Sequence, residues 1–141
     1  MNTLFCFGMG FSAQALARRL RGGWRILGTS RSAEGAGAIS RAGYEAILFD
    51  GRSPLDPAVL SGVTHVLVSA PPGPHGDPVL LSAAGAIEHA AQQIAWVGYL
   101  STTGVYGDHA GGWVEETSAL APVNDRSRWR AAAEAAWLEF G

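Results

Sequence analysis

Residues 4–21 read LFCFGMGFSAQALARRLR: an apolar run breaks on Gly8 and Gly10, then Ala13, Leu16, Ala17 and Leu20 recur at the spacing of one helix face. The pattern predicts a strand over residues 3–7, a tight turn and an amphipathic helix that Gly22 and Gly23 stop. Whether the turn cradles a phosphate or merely reverses the chain is left open locally, because Ala13 stands where a third glycine would complete the pattern. The surrounding chain has to decide.

Working outward, residues 24–29 form a second strand candidate, followed by an Ala-rich, weakly helical stretch over residues 32–42 that contains Gly35 and Gly37. Residues 44–49 read as a third strand ending at Asp50-Gly51, and residues 53–61 allow only a short connection or helical turn. A fourth strand over residues 64–70 ends at Pro71-Pro72-Gly73-Pro74, which neither a helix nor a central strand could continue. A helix over residues 78–93, a fifth strand over 94–101 and a last helix over 124–140 complete the reading. Strands apolar on both faces that alternate with helices predict an α/β fold with a parallel sheet covered on both sides. Right-handed crossovers then give a doubly wound sheet of five strands in the order 3-2-1-4-5.

The 141 residues are 48% hydrophobic and 16% charged, as expected of a single compact domain, residues 1–141. The last helix runs almost to Gly141 without a stop signal, so the expectation is that a C-terminal part is missing. A net charge of −2 provides no broad basic field, which argues against nucleic acid or an anionic membrane as partner. Cys6, the single cysteine, lies in an apolar run and reads as a buried structural thiol in a reducing, cytoplasmic setting. No signal-peptide pattern or membrane-spanning apolar run is present.

A dinucleotide site needs a tight turn after the first strand, close approach of backbone to pyrophosphate, and a helix N-terminus with open N–H groups. Gly8 and Gly10 supply the first two, and Phe11 and Ser12 open the helix. A small residue is needed where Ala13 stands, so Gly8-x-Gly10-x-x-Ala13 is an acceptable fingerprint. At the tip of the second strand an acid would accept the ribose 2′-hydroxyl of NAD, whereas arginine accommodates a 2′-phosphate. The tip here is Gly28-Thr29-Ser30-Arg31-Ser32, without an acid. Arg31 offers a planar fork to a phosphate, and Ser30 or Ser32 adds a hydroxyl, so NADP is expected in preference to NAD. Asp50, at the tip of the third strand, suits either the adenine amino group or the turn before Gly51.

Residues 99–108, YLSTTGVYGD, join the glycine turn, Asp50 and Ala70-Pro71-Pro72 in a combination that resembles the extended or atypical short-chain dehydrogenase/reductase superfamily, the NAD-dependent epimerase/dehydratase group. The resemblance covers essentially the whole chain. It implies that Ala70 and Pro71 lie where the cofactor passes the fourth strand. It also implies that Thr102, four residues before the tyrosine of Val105-Tyr106-Gly107, hydrogen-bonds the reacting substrate oxygen. Ser101 and Thr103 are weaker alternatives. Family dehydratases carry Asp-Glu after this threonine; Thr103-Gly104 stands here and disfavours sugar dehydration.

The family's proton donor is the tyrosine of Y-x-x-x-K, and by the family's spacing that pair falls on Arg126 and Arg130. Arginine stays protonated and is a poor general acid, although Arg130 retains the ability to hold a ribose or phosphate oxygen. Arg130 and Glu134 also have the spacing of an ordinary helical ion pair. The implied function is hydride transfer at a carbonyl or carbinol carbon of an unidentified small molecule, in a chain that the family allows to be a homodimer. The alternative is a non-catalytic nucleotide sensor or protein-interaction module. No metal is expected, since His65, His75, His89 and His109 show no ligand spacing. Trp113, Trp129 and Trp137 are expected to pack against the domain.

Overall fold

The computed structural model describes residues 1–141, whose contacts cluster into two compact units. The first comprises Met1–Ala70 and Pro78–Leu100, the second Pro71–Asp77 and Ser101–Gly141.

The first unit alternates strands and helices: β1 (Asn2–Phe7), α1 (Phe11–Leu20), β2 (Trp24–Ser30), α2 (Ala33–Arg41), β3 (Glu45–Leu48), β4 (His65–Val68), α3 (Pro78–His89) and β5 (Trp96–Tyr99). The strands form one parallel sheet in the expected order, β3-β2-β1-β4-β5. The sheet grows one way from β1 to β3 and the other way from β4 to β5. Right-handed crossovers therefore set α1 and α2 on one face and α3 on the other.

Alternation along β1 feeds both faces. Leu4 and Cys6 join Ile26, Leu67, Ala13 and Ala17 of α1, Ile39 of α2 and Tyr44 in one buried cluster. Phe5 and Phe7 point the other way, with Phe7 edge-on to Phe49 at 5.5 Å, and are fully buried. Ala13, at 0% exposure, packs in the core cluster where the helix meets the sheet, as expected of a small residue there. Cys6 is buried as expected, and burial pushes its thiol up to about 12.

Full coverage of the sheet fails at its edges. Trp96 and Val97 on β5 are 46% and 40% exposed, and Leu48 on β3 is 62% exposed. β5 pairs only with β4, along the four residues of that strand, and spans Trp96–Tyr99 instead of residues 94–101. The helix expected over 78–93 stops at His89, where Ala90 donates to the carbonyls of both Ala86 and Ile87 and Gln93 closes a further turn onto Ala90. No glycine or proline announces that stop; the chain has to turn there to enter β5. The connection before β4 holds a short 3-10 turn, Pro57–Leu60, capped by Asp56.

In the second unit, Gly73 and Gly76 exchange backbone hydrogen bonds across a tight reversal. A 3-10 turn, Thr103–Tyr106, precedes α4 (Asp125–Phe140), whose N-terminus is capped by Asn124. Gly104 lies against Ser127, where a β-carbon would come within 2.7 Å of the serine hydroxyl. Trp137 is buried, but Trp113 is fully exposed, contrary to the expectation that it packs; it follows Gly111 and Gly112 in an irregular loop. No helix is long and apolar enough to cross a membrane.

Candidate functional site

In a doubly wound sheet the crevice opens at the C-terminal ends of the strands where the crossovers change direction, here between β1 and β4. Gly8 occupies that point. Its φ of +89° lies in the region that favours glycine, and a β-carbon on it would come 3.0 Å from Ser69 Oγ and 3.2 Å from the Ala70 nitrogen. Two hydroxyls tie the turn down: Gly8 N–H donates to Thr29 Oγ1 at 2.9 Å, and Ser69 Oγ donates to the Gly8 carbonyl at 3.1 Å. Ala70 N–H donates to the Phe7 carbonyl at 3.1 Å, which holds Ala70 beside the turn.

Gly10 is the N-cap residue of α1 and makes no side-chain capping bond. A β-carbon there would meet nothing within 4 Å, and Phe11 is 88% exposed beside the exposed Ser12. The first-turn N–H groups of α1 have no protein acceptor, and Gly10, Phe11 and Ser12 border open space, as an anion cradle requires.

The tip of β2 is built differently. Ser32 caps α2 by accepting from Gly35 N–H at 3.1 Å, and Ser30 Oγ accepts from Ser32 N–H at 3.3 Å. Between them Arg31 is exposed and makes no hydrogen bond or ion pair within the protein. A cleft of about 280 Å³ adjoins this tip, lined by Met9, Gln14, Thr29, Ser30, Gly35 and Ile39 among others. Asp50 is an exposed turn residue: its Oδ1 accepts from Arg52 N–H at 2.8 Å and Ser53 N–H at 2.9 Å. Those bonds, Ser53's foremost, hold its carboxyl below the usual carboxylate range.

Of the residues expected to form a site, Gly8, Gly10, Phe11, Ser12, Ser30, Arg31, Asp50 and Ala70 lie in the first unit, on the strand-end side of the sheet. Pro71, Thr102 and Arg130 belong to the second unit. There Thr102 caps the 3-10 turn by accepting from Gly104 N–H at 3.3 Å, so its own hydroxyl proton is not spent on that bond. Ser101 Oγ donates to Glu134 Oε2 at 2.7 Å, which weakens Ser101 as an alternative to Thr102. Arg126 and Arg130 stand one turn apart on α4, and the sequence has ten arginines but no lysine, so no lysine completes the pair. No three His, Cys, Asp or Glu side chains converge as a metal site would require.

Thr29 and Ser69 escaped sequence reasoning. Their signal was a hydroxyl residue at the end of each strand flanking the glycine turn.

The fold and the crevice define a Rossmann-type α/β protein. No family model matches the chain, and no curated protein matches it. Solved structures do. A functionally unknown conserved protein from Silicibacter pomeroyi DSS is 48% identical, with a TM-score of 0.85 over 97% of this chain and 48% of that one. UDP-glucuronic acid 4-epimerase from Bacillus cereus in complex with NAD is 17% identical, with a TM-score of 0.74 over 99% of this chain and 52% of that one. Yeast methylglyoxal/isovaleraldehyde reductase Gre2 complexed with NADPH is 20% identical, with a TM-score of 0.69 over 98% and 52%. The chain spans about half the length of these proteins. It has the fold of the Rossmann part of epimerase/dehydratase and short-chain dehydrogenase/reductase-like enzymes.

Proposed function

We propose that the crevice beside β1 binds a nicotinamide dinucleotide, NADP in preference to NAD, and that the protein is an atypical member of the short-chain dehydrogenase/reductase group. The observation that carries this reading is the Gly8–Gly10 turn: backbone closed onto Ser69 and Ala70 on one side, and on the other an uncapped helix facing open space. A pyrophosphate fits that cradle, with Gly10, Phe11 and Ser12 as its backbone contacts. Arg31, unpaired at the β2 tip, and Ser30 suit the 2′-phosphate; Asp50 Oδ2, outside the turn bonds, suits the adenine amino group. The bound cofactors of two structural neighbours, NAD in the epimerase and NADPH in the reductase, support the class of ligand.

Such a cofactor, when bound, supplies reversible hydride transfer at a carbonyl or carbinol carbon. In the second unit, Thr102 is proposed to donate its hydroxyl proton to the substrate oxygen, and Arg130 to hold a ribose or phosphate oxygen, with Pro71 lining the cofactor's path. The alternative, a non-catalytic nucleotide sensor, is favoured by one observation: Arg126 stands where the resemblance expects a tyrosine acid, and the chain has no lysine.

Titration of NADPH and NADH fluorescence tests the binding. The protein should prefer NADPH, and Arg31→Ala should weaken NADPH about tenfold or more, as loss of a charged hydrogen bond does, while leaving NADH little changed. Equal losses would overturn the NADP assignment, and no binding of either nucleotide would overturn the reading altogether. Oxidation of NADPH with carbonyl substrates, lost in Thr102→Val, separates enzyme from sensor.

A further inference from the structure

We infer that Gly35 is a positioning residue for cofactor choice: its bare Cα seats the Ser30 hydroxyl and thereby fixes the turn that presents Arg31. The inference rests on the proposed NADP reading and goes beyond it by naming the device that sets the arginine.

Glycine in the first turn of α2 is unfavourable for the helix, and at residue 35 it makes a contact that a β-carbon would obstruct. The contact is visible. A β-carbon on Gly35 would fall on Ser30 Oγ and lie 3.1 Å from Ser30 Cβ and 3.3 Å from Ser32 Oγ. Gly37, one half-turn on, differs: a β-carbon there would meet only the far end of the Arg41 side chain, at 3.2 Å, which can move aside.

The seated hydroxyl belongs to a closed chain of bonds around Arg31. On one side, the Ser30 carbonyl accepts from Phe49 N–H at 2.9 Å, anchoring residue 30 to the end of β3. Ser30 Oγ then accepts from Ser32 N–H at 3.3 Å, bridging across the arginine. On the other side, Ser32 Oγ accepts from Gly35 N–H and the Ser32 carbonyl accepts from Ala36 N–H at 3.0 Å, anchoring residue 32 to α2. Both neighbours of Arg31 thus accept backbone N–H groups, while the exposed arginine between them makes no bond within the protein. A turn ordered in advance loses less conformational entropy when its side chain is captured, which strengthens capture of a phosphate in particular. An alanine at residue 35 would displace the Ser30 hydroxyl, break the bridge to Ser32 and release the turn.

The experiment is a double-mutant cycle read as the ratio of NADPH to NADH affinity, using fluorescence titration of the full chain. Gly35→Ala is expected to lower that ratio about tenfold. In an Arg31→Ala background the same substitution should change the ratio by less than about twofold, because its effect passes through the arginine. A folded Gly35→Ala protein with an unchanged ratio would overturn the inference, as would an equal drop with and without Arg31. If Arg31→Ala alone leaves the ratio unchanged, the NADP reading itself fails, an outcome distinct from failure of Gly35 alone. Should Gly35→Ala not fold by circular dichroism, Ser32→Ala, which unties the other end of the turn without adding an atom, takes its place in the cycle. A drop in the ratio that depends on Arg31 then supports the inference, and an unchanged ratio or an equal drop without Arg31 overturns it.

Discussion

Two strand-to-helix turns stand side by side in this protein and solve the same problem in opposite ways. The turn from β1 to α1 uses glycines, carries no side-chain cap and leaves its helix N–H groups without protein acceptors. The turn from β2 to α2 uses serines, satisfies Gly35 N–H with the Ser32 hydroxyl, and presents a side chain, Arg31, in place of backbone. An uncapped helix offers its dipole and donors to an outside anion; a capped one has spent them internally and must recruit a charged residue instead. Neighbouring turns of identical topology can thus divide one ligand between backbone and side-chain recognition.

The largest expected effect comes from filling the first turn. Gly8→Val places a β-branched residue at φ +89° against Ser69 and Ala70, and should destabilise the protein by about 2–5 kcal/mol in urea unfolding and abolish nucleotide binding. A milder substitution gives the first turn the device of the second. Gly10→Ser meets no steric obstacle and should cap α1, raising stability by only a few tenths of a kcal/mol. It should nonetheless weaken dinucleotide binding about tenfold, because the hydroxyl competes for the N–H groups. Binding retained with a stabilised helix would show that the open N-terminus is not the phosphate site.

Uncapping the second turn should do less. Ser32→Ala removes the acceptor for Gly35 N–H and should cost about 1 kcal/mol of stability, measured by denaturant midpoint. The smallest effect lies toward the far end of β2, where Arg25 holds Glu45 through bonds of 2.6 and 2.8 Å. The Arg25 hydrogen bond keeps the Glu45 carboxyl below its ordinary value of 4.5. A carboxyl lowered by folding stabilises the native state above that ordinary value and loses the contribution as pH falls through the depressed one. Glu45→Gln should therefore cost less than about 1 kcal/mol at neutral pH, since both partners are exposed, and nothing in strong acid. A larger cost, or one that persists in acid, would mean that the pair does more than join β2 to β3.

Much of the scaffold was legible in the residues. The apolar runs that become β1 and β2, the glycines between them and the Pro-Pro-Gly-Pro break were enough to order five strands, because periodicity and handedness are local rules with a global outcome. Element ends were less legible. β5 extends only along the four residues of β4 that it pairs with, and α3 stops at His89 because the chain must turn; neither cause is written in residues 90–101. Trp113 shows the same limit: an indole's preference for burial does not place it when its loop supplies no partner.

The candidate site divides along the same line. By itself, the sequence determined where the glycine turn falls, that Ala13 can replace a glycine beside the sheet, and that Arg31 rather than an acid stands at the second strand tip. Only the tertiary structure decided what the hydroxyls do. Thr29 and Ser69 clamp Gly8, Ser32 caps α2, Ser30 rests on Gly35, and Thr102 caps its own turn. The reason is physical: strand and helix periodicity is encoded residue by residue along the chain. A short polar side chain, by contrast, takes whichever donor or acceptor the fold brings within about 3 Å; for Thr29 and Ser69 that partner lies 21 and 61 residues away, and for Ser32 and Thr102 it depends on where the turn falls.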